Sequence, residues 1–319
     1  MEKFVPANSF ESPRFCGVRT FMRLPYISDI VGKEVDFAIV GAPFDTGASF
    51  RVGTRFAPEH IRGASVLLRP YNPIQDINIF DYLSGVDYGD APVVPGYIED
   101  SYQKIANTIY GIAKEGTVPI VLGGDHSISL ANLRGVSSRH GELCLIHFDS
   151  HADTWDSYFE KPYTHGTPFR RATEEKIIDS HHSIQIGMRG PLYEPGDWQD
   201  SERMGFTVLP THVAKEMSAD EIAATIKKTV GDRKVFLTFD IDFVDPAYAP
   251  GTGTPEAGGF SSYETLKILR KLTDLNIVGY DLVEVLPAYD QPAEITSFLA
   301  AAIIYEFITA IAMRKRAKE

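Results

Sequence analysis

Short apolar runs alternate with stretches of helical periodicity along most of this chain. The runs at 35–41, 119–122, 143–146, 183–187, 235–242 and 276–281 are bounded by glycine, proline or acidic residues, the pattern of strands buried on both faces. A further strand edge is expected at 86–90. Between these runs, residues 97–114 set Ile98, Tyr102, Ile105, Ile109 and Ile112 on one helical face. Pro58 suits the first position of another helix, and one more is expected from Ser127 to about Ser138. Ser218 with Glu221, and Ser261 with Glu264, form two capping boxes. The apolar run 298–313 is interrupted by Glu306 and reads as a closing core helix too short to span a bilayer. Strands alternating with helices predict βαβ units, hence an α/β fold with a mostly parallel sheet covered on both faces. Residues 1–33, punctuated by Pro6, Pro13 and Pro25, are expected to form an N-terminal arm, and 34–319 a single domain.

Composition narrows the function classes. Hydrophobic residues make up 44% of the 319, enough for a large core, and the net charge of −12 argues against nucleic acid as a partner. The two cysteines, Cys16 and Cys144, give no disulfide framework. The first residues carry no apolar signal core. A soluble, cytoplasmic protein with no membrane contact is therefore expected.

Candidate chemistry gathers where apolar runs end. After the run 143–146 come Asp149, His151 and Asp153, which share one face on an extended backbone. Asp240 and Asp242 repeat the alternation, and His126 follows the run 119–122. In parallel sheets, ligands bind at the carboxyl ends of strands. Each cluster alone reads equally as a turn whose aspartate bonds its own backbone, or as a loop histidine. Together they offer two imidazoles and four carboxylates. That exceeds what one catalytic zinc uses and suits two oxygen-preferring divalent ions sharing bridging carboxylates, with manganese favoured. Such a pair lowers the pKa of a shared water towards ~7. The loop 45–57, with Gly47, Ser49, Arg51, Gly53 and Arg55, reads either as a surface loop or as a close backbone approach to something.

The motifs Gly123-Gly124-Asp125-His126-Ser127, Asp149-x-His151-x-Asp153, and Phe239-Asp240-Ile241-Asp242 continuing through Asp245-Pro246 to Thr254-Pro255 resemble the three signatures of the ureohydrolase (arginase/agmatinase) family. The resemblance covers about residue 14 to the C-terminus. It implies a three-layer α-β-α arginase-like fold with an eight-stranded sheet, and a homotrimer or homohexamer. It also implies two Mn²⁺ per chain, one held by His126, Asp149, Asp153 and Asp240 and the other by His151, Asp149, Asp240 and Asp242; nickel stays open as an alternative. His165 matches the family's proton-shuttling histidine, and Glu284 the carboxylate that orients the guanidinium. Ser150 stands where alanine is usual and Ala152 where serine or threonine is common. Both side chains are expected to point off the ligand face.

The loop 153–165 lacks the asparagine-rich character of arginases and looks closest to the agmatinase, guanidinobutyrase and proclavaminate amidinohydrolase branch. The expected reaction is hydrolysis of a linear guanidino compound to urea and a primary amine, with agmatine favoured and Trp155 walling its methylene chain. Arg51, Arg55 and Arg189 keep a guanidino acid such as 4-guanidinobutanoate open, if any of them is free to hold a carboxylate. Rival readings are a deacetylase of the same fold using one ion, a catalytically silent binding subunit, and a binuclear phosphoesterase, which Glu284 would disfavour by repelling phosphate.

Overall fold

The apolar runs become strands because their side chains are buried on both sides of a sheet. The computed structural model describes residues 3–194, 196–290 and 292–319. In chain order its strands are β1 (Phe37–Ala42), β2 (Tyr71–Asn72), β3 (Ile77–Asn78), β4 (Gly85–Asp90), β5 (Val118–Gly123), β6 (Cys144–Phe148), β7 (Ile184–Ile186), β8 (Thr207–Leu209), β9 (Val235–Asp240) and β10 (Ile277–Val283). Every residue of β1, β6, β9 and β10 is buried.

Strand alternation splits the core in two. Ile120 and Leu122 of β5, Ile146 and Phe148 of β6, and Leu237 and Phe239 of β9 face one side. There they pack with Ile61 of helix Ala57–Ser65, Ile222 and Ile226 of helix Ala219–Val230, and Ile303 and Phe307 of helix Ile295–Arg316. Val121, Leu145 and Phe236 face the other side, against Ile105 and Ile109 of helix Ile98–Ala113 and Leu133 of helix Ile128–His140. The result is three layers, helix–sheet–helix, as expected.

The main sheet has eight parallel strands in the order β4-β1-β5-β10-β9-β6-β7-β8, and β2 pairs only with β3. β5 and β6, successive in the chain, are separated by β10 and β9, which enter last. The carboxyl ends of β5, β10, β9 and β6 therefore lie side by side where the winding changes direction, the place such sheets bind ligands.

Three features depart from the sequence reading or add to it. The closing helix runs Ile295–Arg316, 22 residues, so by length and composition it could cross a membrane; the expectation that it is too short is corrected. Burial marks it as a core helix, since 72% of its most apolar window is packed inside the fold. Its one mid-helix acid, Glu306, accepts from Arg270 Nε at 2.8 Å. The three-residue edge strand β8, the β2–β3 hairpin and the short helices Pro168–Glu174 and Asp197–Arg203 were not anticipated. Residues 3–33 run mainly as irregular chain, yet Phe21, Met22 and Leu24 are buried. Asp87 of β4 donates its N–H to Pro25 O and accepts from Ile27 N–H, so this segment covers the outer edge of β4.

Candidate metal centre

Three strand ends close in the same way. Asp125 after β5, Asp149 after β6 and Asp240 at the end of β9 each accept, through Oδ1, the backbone N–H two residues on. The distances are 3.0 Å from Ser127, 2.6 Å from His151 and 2.8 Å from Asp242. Such Asx turns fix the carboxylate plane and leave the second oxygen free for another task. The turn reading is realised at all three, and it leaves Asp149 and Asp240 a second oxygen for a ligand role. Gly124 permits the sharp turn before His126: its φ is +45°, and a Cβ there would meet the carbonyl oxygens of Ala42 and Phe44 at 2.5 Å.

The second oxygens of Asp149 and Asp240 converge, joined by one from Asp153. His126 Nδ1 lies 3.0 Å from Asp149 Oδ2, 3.0 Å from Asp153 Oδ2 and 3.3 Å from Asp240 Oδ2. Beside this group, His151 Nδ1 is 3.1 Å from Asp242 Oδ2 and 3.5 Å from Asp149 Oδ1. Asp149 therefore presents one oxygen to each histidine, the geometry of a bridging ligand. His126 is aimed by Thr238, whose Oγ1 is hydrogen-bonded to Nε2 at 2.9 Å. Asp153 is held at φ 51° and Glu284 at φ 62°, left-handed conformations that an L-residue adopts only when its surroundings impose them.

The donor set fits divalent cations. His126 Nδ1 and Asp242 Oδ2 are buried with no hydrogen-bond partner among the described residues. Burial, then the charges of Asp242 and Asp149, push Asp240 well above the usual carboxylate range. Burial works against a proton on His126, but its contacts with Asp149, Asp153 and Asp240 hold its pKa well above the histidine norm. Buried like charges this close are stable only when matched by positive charge, which two metal ions would supply.

The structure brings all six expected ligand residues together, with two changes in how. β6 ends at Phe148, so strand alternation alone does not align Asp149, His151 and Asp153; the Asx turn and the left-handed Asp153 do. Ser150 does not point away from the site. Its Oγ donates to Asp242 Oδ1 at 2.7 Å and its N–H to the same oxygen at 3.0 Å, so the residue standing in place of alanine holds one of the acids. His147 was not anticipated: it is buried on β6 with Nε2 2.7 Å from Asp149 Oδ2. Its signal was present in the alternation, which puts 147 on the face of 149.

His165 and Glu284 meet at one side of the centre, Nδ1 to Oε1 at 3.5 Å, while His126 N–H donates to the same Oε1 at 2.8 Å. Burial opposes protonation of His165, but the hydrogen bond and charge of Glu284 outweigh it and raise the pKa. The loop 45–57 proves to be a close backbone approach. Ser49 Oγ is 2.8 Å from His165 Nε2, and Gly47 O accepts from His165 N–H at 3.0 Å. Gly47 N–H donates in turn to Asp125 Oδ2 at 2.7 Å. A Cβ on Gly47 would lie 2.7 Å from Ser127 Oγ, so only glycine fits between. Burial, then the charge of Glu284, pushes Asp125 up to about 7.

A cavity of about 480 Å³ opens above the acids. Trp155, Tyr158, Tyr193 and Trp198 line it, with Arg51, Asp197 and Glu256 as further charged groups. Trp155 lies 4.8 Å from the Tyr158 ring and 5.7 Å from the Tyr193 ring, centroid to centroid. Two of the three candidate carboxylate-binding arginines are occupied. Arg55 is paired with Asp45, its Nε donating to Oδ1 at 2.6 Å. Arg189 also lines the cavity, but its guanidinium is taken up by backbone carbonyls, including those of Asp242 at 2.5 Å and Glu256 at 2.8 Å, and so supports the turn at Asp242. Arg51 stacks on Tyr289 at 4.4 Å and has no ion-pair partner among the described residues.

Known proteins resemble this chain along nearly its whole length. The Arginase family model matches residues 35–310. The guanidinobutyrase of Pseudomonas aeruginosa is 40% identical over 304 residues, 95% of either chain. An agmatinase of Neisseria meningitidis serogroup C is 43% identical over 292 residues, 90% of this chain and 91% of its own. The structure of the proclavaminate amidino hydrolase of Streptomyces clavuligerus superposes with a TM-score of 0.90 at 38% identity, covering 95% of this chain and 100% of that one. With likeness of this kind running from end to end, the chain belongs to the arginase family.

Proposed function

We propose that this protein hydrolyses the C–N bond of a linear guanidino compound, releasing urea and a primary amine, with agmatine as the substrate and two manganese ions in the acid cluster. The reading is supported by relatives named guanidinobutyrase, agmatinase and proclavaminate amidinohydrolase, and by a centre with two groups of donor atoms joined through Asp149. His126, Asp149, Asp153 and Asp240 would hold one ion, and His151, Asp149, Asp240 and Asp242 the other. When bound, such a pair supplies a water activated for attack near neutral pH and positive charge to offset what develops on the substrate. Oxygen-rich donors with two imidazoles favour manganese over softer ions.

The chain's own residues do the rest. Glu284 accepts charge-assisted hydrogen bonds from the guanidinium and so orients its carbon towards the acids. His165, cationic beside Glu284, gives its proton to the leaving nitrogen as the C–N bond breaks, and regains one from water. Trp155, Tyr158 and Tyr193 wall the methylene chain.

The observation that carries agmatine is Asp197 Oδ2, a buried acceptor without a partner among the described residues, on a residue lining the same cavity. A distal ammonium supplies what it lacks. A second reading, a guanidino acid such as 4-guanidinobutanoate, is favoured by Arg51, a cavity-lining guanidinium that, unlike Arg189, is bonded to neither a carboxylate nor backbone carbonyls among the described residues. The test is urea release, as kcat/KM for agmatine, 4-guanidinobutanoate and arginine under identical manganese loading. Agmatine is expected to lead. 4-Guanidinobutanoate in the lead would move the distal contact from Asp197 to Arg51, and arginine in the lead would overturn both.

A further inference from the structure

Gln185 lies in the middle of β7, fully buried, and takes no part in the chemistry above. Its Nε2 sits 2.6 Å from Ala152 O and 3.1 Å from His147 Nδ1. A carbonyl oxygen only accepts, so the group facing Ala152 is the amide nitrogen; the flipped amide would set two acceptors against each other. One N–H of that nitrogen goes to Ala152 O. The other points at His147 Nδ1, which must then be the ring's acceptor. A neutral imidazole has one donor and one acceptor, so the proton of His147 is on Nε2, and Nε2–H donates to Asp149 Oδ2 at 2.7 Å. A doubly protonated ring would turn an N–H against the amide N–H and is excluded by the same geometry. The ring is clamped as well, 4.4 Å from Phe169 and 5.1 Å from His126, centroid to centroid.

This orientation has a cost. Gln185 Oε1 is buried with no partner among the described residues, an acceptor desolvated without compensation. An arrangement chosen for stability alone would avoid it.

We infer that Gln185 is a positioning residue for the metal centre: it reads the Ala152 carbonyl of the ligand turn, fixes the tautomer of His147, and through it pins Asp149 Oδ2. With Oδ1 already held by His151 N–H, both oxygens of the bridging carboxylate are set before any ion arrives. His147 then serves as an N–H donor to a ligand and is not itself a ligand through Nε2. This rests on the acid cluster being a metal site, so the test separates the two ideas. The unaltered protein, stripped of metal and titrated with Mn²⁺ alone, must bind it for the site reading to hold.

Given that, Gln185→Met, which keeps the shape and removes the donor, is expected to weaken Mn²⁺ binding about 10–100-fold, the usual cost of losing a partner that orients a ligand. His147→Phe should weaken it at least as much. The double variant should lose much less than the sum of the two single losses, because Gln185 reaches Asp149 only through His147. A merely structural glutamine would give additive losses, and additive losses overturn the inference, as does Gln185→Met binding Mn²⁺ like the unaltered chain. A second measurement needs no variant. Long-range ¹H–¹⁵N spectra of the metal-free protein labelled at histidine are expected to show one buried ring protonated at Nε2 alone, and a His147 ring protonated at Nδ1 would refute the assignment outright.

Discussion

The floor and the mouth of this cavity are built by opposite means. On the floor, His126, Asp149, Asp240, Asp242 and Glu284 are each no more than 2% exposed, and every one is anchored at the end of a central strand by backbone or side-chain hydrogen bonds. At the mouth, Tyr193 is 77% exposed and Phe50 70%, and the loops are joined mainly by ring contacts. Buried hydrogen-bonded networks admit one arrangement because an orphaned donor or acceptor inside them is expensive. Exposed ring contacts admit many. The reaction is therefore set by the floor and the choice of guanidino compound by the mouth, and the two should respond differently to substitution.

The sharpest break of that comparison is at Asp149, whose two oxygens serve both donor groups. Asp149→Asn puts an amide where an anion faces two histidines, and it also sets an N–H₂ against the donor of His147 or His151. Metal content should fall towards zero and turnover should vanish. Metal analysis together with urea release decides it: a variant keeping two ions per chain and near-normal activity would remove Asp149 from the bridge.

His165, with its side chain 13% exposed, stands at the edge of the floor beside Glu284 and holds no place in the donor groups. His165→Ala should lose ~10²–10⁴ in kcat, the usual contribution of a general acid, with its metal content intact. Departure of the metals would make His165 a ligand. One step further out, Ser49→Ala removes the hydroxyl on His165 Nε2. A hydrogen bond to a charged group is worth about 1.5–3 kcal/mol, so kcat should fall about 10- to 100-fold with KM little changed, and Ser49→Thr should restore it. A Ser49→Ala effect as large as that of His165→Ala would mean that the hydroxyl itself moves the proton.

The same division governs what could be read from the sequence. The six acid-cluster residues stand at or just beyond strand ends, where hydrophobic alternation stops and motif spacing is short, so that part of the floor is legible; His165, in the loop before helix Pro168–Glu174, and the role of Glu284 are legible only through the family resemblance. His147 was passed over because one imidazole inside an apolar strand reads as core, although its parity with Asp149 placed it on the working face. An extended backbone beyond Phe148 would turn Ser150 away from the acids, but the Asx turn swings its hydroxyl onto Asp242. Arg55 and Arg189 stay open as carboxylate holders in the sequence because a charge does not announce its partner: Asp45, in the same loop, takes one, and carbonyls of residues 187, 242–244 and 256 take the other. The tie of Gly47 and Ser49 to His165 spans over a hundred residues, and only the fold brings them together.

At the mouth the expected effects are smallest, and they should fall on binding. Tyr193 touches the rest of the wall through its ring against Trp155 and a hydroxyl 3.3 Å from that of Tyr158. Tyr193→Ala should raise KM for agmatine about two- to fivefold, the range for losing an exposed cation–ring contact, and leave kcat in place because no floor residue leans on this ring. For 4-guanidinobutanoate, whose distal end is an anion, the same change should be neutral or slightly favourable. The ratio of kcat/KM between the two substrates, in Tyr193→Ala against the unaltered protein, is the quantity to measure. A drop in kcat shared equally by both would show that the exposed wall helps to hold His165, and the separation of floor from mouth would fail at that point.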